Sequence, residues 1–136
     1  MSRVMHFEIQ ASDVERITKF YKGVFGWEIN EWILPNVEMA DENRYWLVTT
    51  GSEDEAGING GMLIRQGEKP KDGQPVNAFV CIIDTASIDK TLENVRKFGG
   101  EVTVDKMPVF GMGWSAYCTD PDGNIFGLME DDEKAQ

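Results

Sequence analysis

Three shortages bound this chain before any motif is read. Lysine and arginine number 13 against 24 aspartates and glutamates, a formal net charge of −11. A chain this acidic repels phosphate backbones and anionic lipid heads, so nucleic acid and membrane surfaces are not expected partners, whereas cationic ligands and proteins stay open. Cysteine is scarce: Cys81 and Cys118 are the only two and form no C-x-x-C. That excludes a disulfide framework and leaves the expectation of buried, reduced thiols in a cytoplasmic protein. Long apolar runs are missing as well. The stretch Phe79-Val80-Cys81-Ile82-Ile83 is far short of the roughly 20 residues that a membrane helix needs. The N-terminus, Met-Ser-Arg-Val-Met-His, has no apolar segment of the kind a secretory signal carries. What is present is a globular mix: 136 residues, 41% hydrophobic, 27% charged and 10% aromatic, suited to one ordinary domain with a real core.

The chain has an internal repeat. Val4 to Ile9 reads as a strand, followed by Ser12-Asp13-Val14-Glu15, an S-x-x-E capping box that opens a helix. Val14, Ile17, Tyr21, Val24 and Phe25 then fall on one stripe at helical spacing, and Gly26 stops it. Trp27 to Trp32, Arg44 to Thr50 and Ile58 to Ile64 read as three strands. The same β-α-β-β-β order recurs. Asn77 to Ile83 is a strand, and Ser87 caps a helix carrying Ile88, Leu92, Val95 and Phe98 before Gly99-Gly100. Glu101 to Val104, Trp114 to Thr119 and Ile125 to Glu130 complete the set. Phe25-Gly26-Trp27-Glu28-Ile29 aligns with Phe98-Gly99-Gly100-Glu101-Val102, and Ile58-Asn59-Gly60-Gly61-Met62 with Ile125-Phe126-Gly127-Leu128-Met129. The expected organisation is a module over residues 1–65, a polar linker over 66–75 with two prolines and two glycines, a second module over 76–130, and an acidic tail over 131–136 that frays into solvent. The fold class is α+β: two tandem βαβββ modules, each a sheet with a helix on one face, curving around a cup-shaped cavity.

Certain residues carry a family resemblance. His6-Phe7-Glu8-Ile9 on the first strand, Phe20-Tyr21-Lys22-Gly23-Val24-Phe25-Gly26-Trp27 at the first helix end, and Asp120-Pro121-Asp122-Gly123-Asn124 before the last strand resemble the vicinal oxygen chelate superfamily. That superfamily includes glyoxalase I, bleomycin-resistance proteins and extradiol dioxygenases. The resemblance spans essentially the whole chain and implies paired βαβββ modules, a cavity and frequent homodimers. It does not imply one reaction.

Metal-dependent members of that superfamily take four ligands, His, Glu or Gln, from the first and last strands of each module. By that resemblance the positions fall on His6, the chain's one histidine, on Gly60 with Gly61 beside it, on Asn77 or Ala78, and on Gly127. Only His6 retains a ligand, and one imidazole does not hold a catalytic divalent ion against water. No cofactor is therefore expected. A divalent metal would need unconventional donors, such as His6 with Glu8, which share a strand face two residues apart, plus one from a partner chain.

The candidate catalytic pair is thus His6 with Glu8: an imidazole that moves a proton or anchors a ligand, and a carboxylate that orients it. Gly60, Met62, Asn77, Gly127 and Met129 are candidate cavity residues, the glycines leaving room and the methionines lining it. The same residues also suit close packing and core filling. Trp46, Trp114 and Tyr117 either line the cavity or pack beneath the helices, since strand parity alone does not decide. Gly57-Ile58-Asn59-Gly60-Gly61 and Gly111-Met112-Gly113 lie between no strand and following helix, so neither is a phosphate cradle.

The leading expectation is a glyoxalase-like protein that binds a small organic molecule without the family's metal, in a homodimer. If it is an enzyme, it is a glyoxalase-type lyase or isomerase. One alternative is an antibiotic-sequestering protein similar to bleomycin-resistance proteins, whose acidic groove attracts a cationic drug. Others are a metal-dependent lyase, isomerase or dioxygenase with unconventional ligands, and a domain that mainly associates with another protein.

Overall fold

A computed structural model describes all 136 residues. The chain divides into two compact units, Met1–Lys69 and Pro70–Gln136. The first runs β1 (Phe7–Ala11), α1 (Val14–Phe25), β2 (Glu28–Glu31), a short 3-10 turn at Asp41–Asn43, β3 (Trp46–Thr49) and β4 (Gly60–Ile64). The second runs β5 (Ile82–Asp84), α2 (Ile88–Lys97), β6 (Glu101–Val109), β7 (Gly113–Thr119) and β8 (Ile125–Asp131). Each sheet has four strands in equivalent order, β1-β4-β3-β2 and β5-β8-β7-β6. In each, the first and last strands of the module pair in parallel and the other pairs are antiparallel. The structure is thus the α+β pair of βαβββ modules that the repeat predicts. No helix is long and apolar enough to cross a membrane.

Both helices begin and end where local chemistry allows. The Asp13 carboxylate, not Ser12, caps α1, accepting from the Arg16 amide at 3.1 Å. Asp13 is the last extended residue, with φ −128°, so its oxygen reaches the free amides that Ser12, a residue earlier, does not. Gly26 closes α1 in the left-handed region, φ 75°, its N–H on the Lys22 carbonyl. Ser87 caps α2 through the Lys90 amide at 3.3 Å, as expected. Ile17, Phe20 and Tyr21 are the buried side chains of α1, and Ile88, Thr91, Leu92 and Val95 those of α2. Each large apolar side chain so buried contributes about 1.5–3 kcal/mol.

Strand register assigns the sheet faces, because directly paired residues point the same way. In the first unit Ile9, Met62 and Trp46 are mutual partners, as are Phe7, Gly60 and Val48. These residues face α1. Ile9, Met62, Trp46 and Val48 are all buried, and Phe7 stacks toward Trp27, which lies 5.1 Å from the Tyr21 ring of α1. The opposite face carries Glu8, Gly61 and Leu47, again mutual partners, with Leu47 47% exposed. In the second unit Leu128 pairs with Ala116 and Ile83, and Phe126 with Cys118. This set packs under α2, and Leu128, Ala116, Phe126 and Cys118 are buried. The face away from α2 carries Ile82, Gly127 and Tyr117 as partners, with Met129 one rung further.

Several element ends differ from expectation. β1 starts at Phe7, leaving Val4 and Met5 exposed and His6 just before the ladder. β5 holds only Ile82–Asp84. Its partner β8 begins at Ile125, and because Gly127 pairs with Ile82 few rungs remain for residues before Ile82. Asn77 is therefore outside the strand and exposed, and Phe79 is 98% exposed. β6 runs on to Val109, beyond the expected Val104, through two register shifts that break its alternation. Cys118 is buried as expected, whereas Cys81 is exposed. The acidic tail does not fray. Asp131 belongs to β8, Ala135 is fully buried, and the Ala135 carbonyl accepts from the Gly111 amide at 3.0 Å.

Candidate functional site

The sequence-predicted pair comes together around a residue that sequence reasoning missed. His6 and Glu8 sit two positions apart on the β1 approach, on the face away from α1. Between them lies the phenol of Tyr45. The His6 Nε2 is 2.7 Å from the Tyr45 hydroxyl, and that hydroxyl donates to Glu8 Oε2 at 2.9 Å. An ionised carboxylate only accepts, so the phenol proton is committed to Glu8 and the phenol oxygen accepts from His6. This assigns the proton of the neutral imidazole to Nε2 and leaves Nδ1 as its free acceptor. Burial, then the hydrogen bond and negative charge of Glu8, push the Tyr45 phenol up to about 12. Tyr45 therefore stays protonated and keeps the bridge. The imidazole and phenol rings are nearly parallel, at 15° with centroids 6.4 Å apart.

Gly61 makes the arrangement sterically feasible. It is the register partner of Glu8, and any Cβ there would fall inside the Tyr45 hydroxyl group. Gly60 answers a different need. It sits on the helix-covered face, where a Cβ would lie 2.5 Å from the Phe7 carbonyl oxygen and 2.6 Å from its ring. The glycine that belongs to the His6 face is thus Gly61, not Gly60. A signal for this was present in the sequence: parity along β4 separates the two glycines once the pairing with β1 is known, but pairing register is not written in one strand alone.

The other expected cavity residues divide by face. Met62 and Trp46 belong to the core under α1, fully buried and 7% exposed respectively. Trp114 lies on the α2 side, where its indole donates to Asp132 Oδ2 at 3.1 Å and Lys106 sits 4.7 Å over its ring. Met62 is thus core, whereas Trp46 also borders an open cleft with Lys22, Glu31 and Arg44, and Trp114 is half-buried. Asn77 lies on an exposed segment outside any strand. Tyr117, Gly127 and Met129 do share the face away from α2. There a Cβ on Gly127 would meet Ile82 Cδ1 and, at 3.1 Å, the Tyr117 ring.

Beside His6 a cleft of about 570 Å³ is lined by the Arg3–Met5 approach and the Thr50–Asn59 loop, with Glu53 and Glu55 on its wall. Its floor is tied by the Thr50 amide donating to Asn59 Oδ1 at 2.8 Å and the Thr50 hydroxyl donating to the Ile58 carbonyl at 2.8 Å. The site therefore offers an imidazole nitrogen, a phenol, carboxylates and a small open volume, a set suited to hydrogen bonding and proton transfer.

A chelated divalent ion fits this set poorly. No three His, Cys, Asp or Glu side chains converge anywhere in the chain. Nε2 of His6 is already bonded to a phenol, and Gly61, beside Glu8, supplies no donor. Open catalytic sites for such ions are built from three or more protein donors.

Two sheets of this topology, each backed by one helix and presenting a polar or apolar patch on its other face, define the glyoxalase-type βαβββ class. The chain belongs to the glyoxalase/bleomycin resistance protein/dioxygenase superfamily, whose model matches residues 3–128. It is 28% identical over 130 residues to a lactoylglutathione lyase of Arabidopsis thaliana, covering 94% of this chain but 44% of that protein. This chain thus spans under half of that curated relative. Among solved structures, glyoxalase I from Zea mays matches with a TM-score of 0.68 at 22% identity, over 98% of this chain and 45% of the maize chain. The fosfomycin resistance protein FosX from Listeria monocytogenes matches with a TM-score of 0.65 at 18% identity, over 97% of this chain and 95% of that one.

Proposed function

We propose that this chain is a glyoxalase-like protein that binds a small organic molecule at the His6–Tyr45–Glu8 face, without the divalent ion of the superfamily's metal-dependent members. The observation that carries this reading is the hydrogen-bonded chain itself. One phenol satisfies both the imidazole and the carboxylate, leaving Nδ1 of His6 as the basic atom presented to a ligand. In this role His6 accepts a proton or a hydrogen bond from the ligand, Glu8 holds the phenol, and the 570 Å³ cleft receives the remainder of the molecule. Where turnover follows binding, the reaction is of the glyoxalase lyase or isomerase type, with His6 moving the proton. The protein acts as a cytoplasmic homodimer on this reading, its mass in solution twice that of the 15.3 kDa chain.

The test is a binding screen by calorimetry and thermal shift, on protein made without a histidine tag. Small carbonyl compounds and cationic antibiotics form the panel, each run with and without chelator. Saturable binding that ignores chelator and disappears in His6→Ala is the expected result. Binding that needs a divalent ion, or that survives His6→Ala unchanged, would overturn the reading.

A second reading, sequestration of a cationic antibiotic, draws support from the net charge of −11 and from Glu53 and Glu55 on the cleft wall. It is distinguished by tight binding of the cationic members of the panel with no chemical change in them.

A further inference from the structure

We propose that Tyr45 and Gly61 together occupy the place of a metal centre, and that exchanging this pair alone converts the face into a divalent-cation site. This rests on the metal-free reading above and gives it a structural cause. On the face away from α1, the sheet brings three positions side by side: His6, Glu8 two residues on, and Gly61, the β4 residue in register with Glu8. Histidine and glutamate are good donors for first-row divalent ions, and a carboxylate at the third position would complete a facial set of three with open coordination positions. A side chain at that third position would have to displace the Tyr45 phenol, which fills the space of its Cβ. The same phenol takes up the imidazole nitrogen at 2.7 Å and the carboxylate at 2.9 Å. One imidazole nitrogen and one carboxylate oxygen are thereby bonded to a single hydroxyl. Tyr45 is a positioning residue: it fixes His6 and Glu8 in a metal-excluding arrangement.

The second unit shows that a glycine at this place does not by itself imply a vacated cation site. Gly127 pairs with Ile82 as Gly61 pairs with Glu8. Ile82 supplies no donor, so the C-terminal face lacks the potential that the N-terminal one retains.

The probe is Ni²⁺ alone, titrated by calorimetry into untagged full-length protein, with melting temperature and metal content as parallel readouts. Wild type is expected to take up no stoichiometric ion. The double variant Tyr45→Ala/Gly61→Glu is expected to bind one ion per chain, roughly a hundredfold tighter than wild type, as an added anionic donor in a three-donor set provides. Its melting temperature rises with Ni²⁺ by mass action, and adding His6→Ala abolishes both effects. A folded double variant that gains no ion overturns the proposal while leaving the metal-free binding role intact. A wild-type protein that binds one ion through His6 overturns both.

Should the double variant not fold, Tyr45→Phe keeps the ring over Gly61 and removes only the hydroxyl. The chain has one histidine, so its imidazole ¹⁵N resonances are read without ambiguity. The Nε2 resonance is expected to move in Tyr45→Phe. An unchanged resonance means that the phenol does not hold the imidazole, and sinks the proposal.

Discussion

The two modules share element order, strand order and the pairing of their first, third and fourth strands, yet their outer sheet faces are chemically unlike. At equivalent places the N-terminal face has Glu8 beside Gly61, and the C-terminal face has Ile82 beside Gly127. In both, a tyrosine ring lies over the glycine, reached from different positions. Tyr45 lies two residues before the β3 partner of Gly61, which is Leu47, whereas Tyr117 is itself the β7 partner of Gly127. The helix-covered faces, in contrast, are alike: buried aliphatic and aromatic residues packed on one amphipathic helix. Duplication has thus kept what the sheet and helix need for packing and let the opposite face diverge. Chemistry on this fold is carried by the part that stability does not constrain.

The sharpest way to break that division is to truncate Met62 and Met129, which the sequence repeat aligns but the strand register sets one position apart, Met62 being level with Leu128. Met62 is fully buried under α1, and Met129 lies on the face away from α2, only partly buried. Met62→Ala is expected to cost about 2–5 kcal/mol through lost burial and the cavity left behind. Met129→Ala is expected to cost under about 1 kcal/mol, in line with a partly exposed site. Urea denaturation of both variants checks this. Equal costs would mean that the faces are misassigned.

A smaller effect tests the two neighbouring glycines. Gly61→Ala forces the Tyr45 phenol aside and is expected to cost about 1–3 kcal/mol, a typical overpacking penalty. Most of that cost should vanish in a Tyr45→Ala background, because the obstacle is one side chain. Gly60→Ala meets the Phe7 backbone carbonyl instead, so the Tyr45→Ala background should leave its cost unchanged. A thermodynamic cycle on denaturation midpoints separates the two. Rescue of both or of neither would contradict the register.

Much of the architecture was legible because it depends on local signals. Ser87, Gly26 and the apolar stripes fixed the helices to within a residue, and the repeat predicted two equivalent modules. Even so, the α1 cap moved from Ser12 to Asp13, since both residues are good caps and only the backbone angle chooses between them. The site was half legible. His6 and Glu8 share a face by simple alternation, and the structure joins them. Tyr45 was hidden because its partners are 39 and 37 positions away in sequence, and nothing local marks such a contact. Met62, Trp46 and Trp114 were ambiguous for a related reason: a strand's parity says which residues share a face, not which face the helix covers. The short β5 was misjudged because an apolar run signals a strand but does not report where its partner ends.

The smallest expected effect concerns the phenol in solution. Tyr45 is held up to about 12, first by burial and then by Glu8, whereas a tyrosine in the unfolded chain ionises near about 10. A folded value above the unfolded one means that the native state keeps a proton which the unfolded state releases. The associated stability is complete below about pH 10 and is lost as pH rises from about 10 to about 12. Tyr45→Phe lacks that proton, so its denaturation midpoint should fall less steeply than wild type across this window, and the two curves should run parallel below it. The other titrating tyrosines and lysines cancel in the difference between the two proteins. Curves that stay parallel through the window would mean that the Tyr45 phenol is not held above its free value, and the polar contact with Glu8 that distinguishes the N-terminal face would go with it.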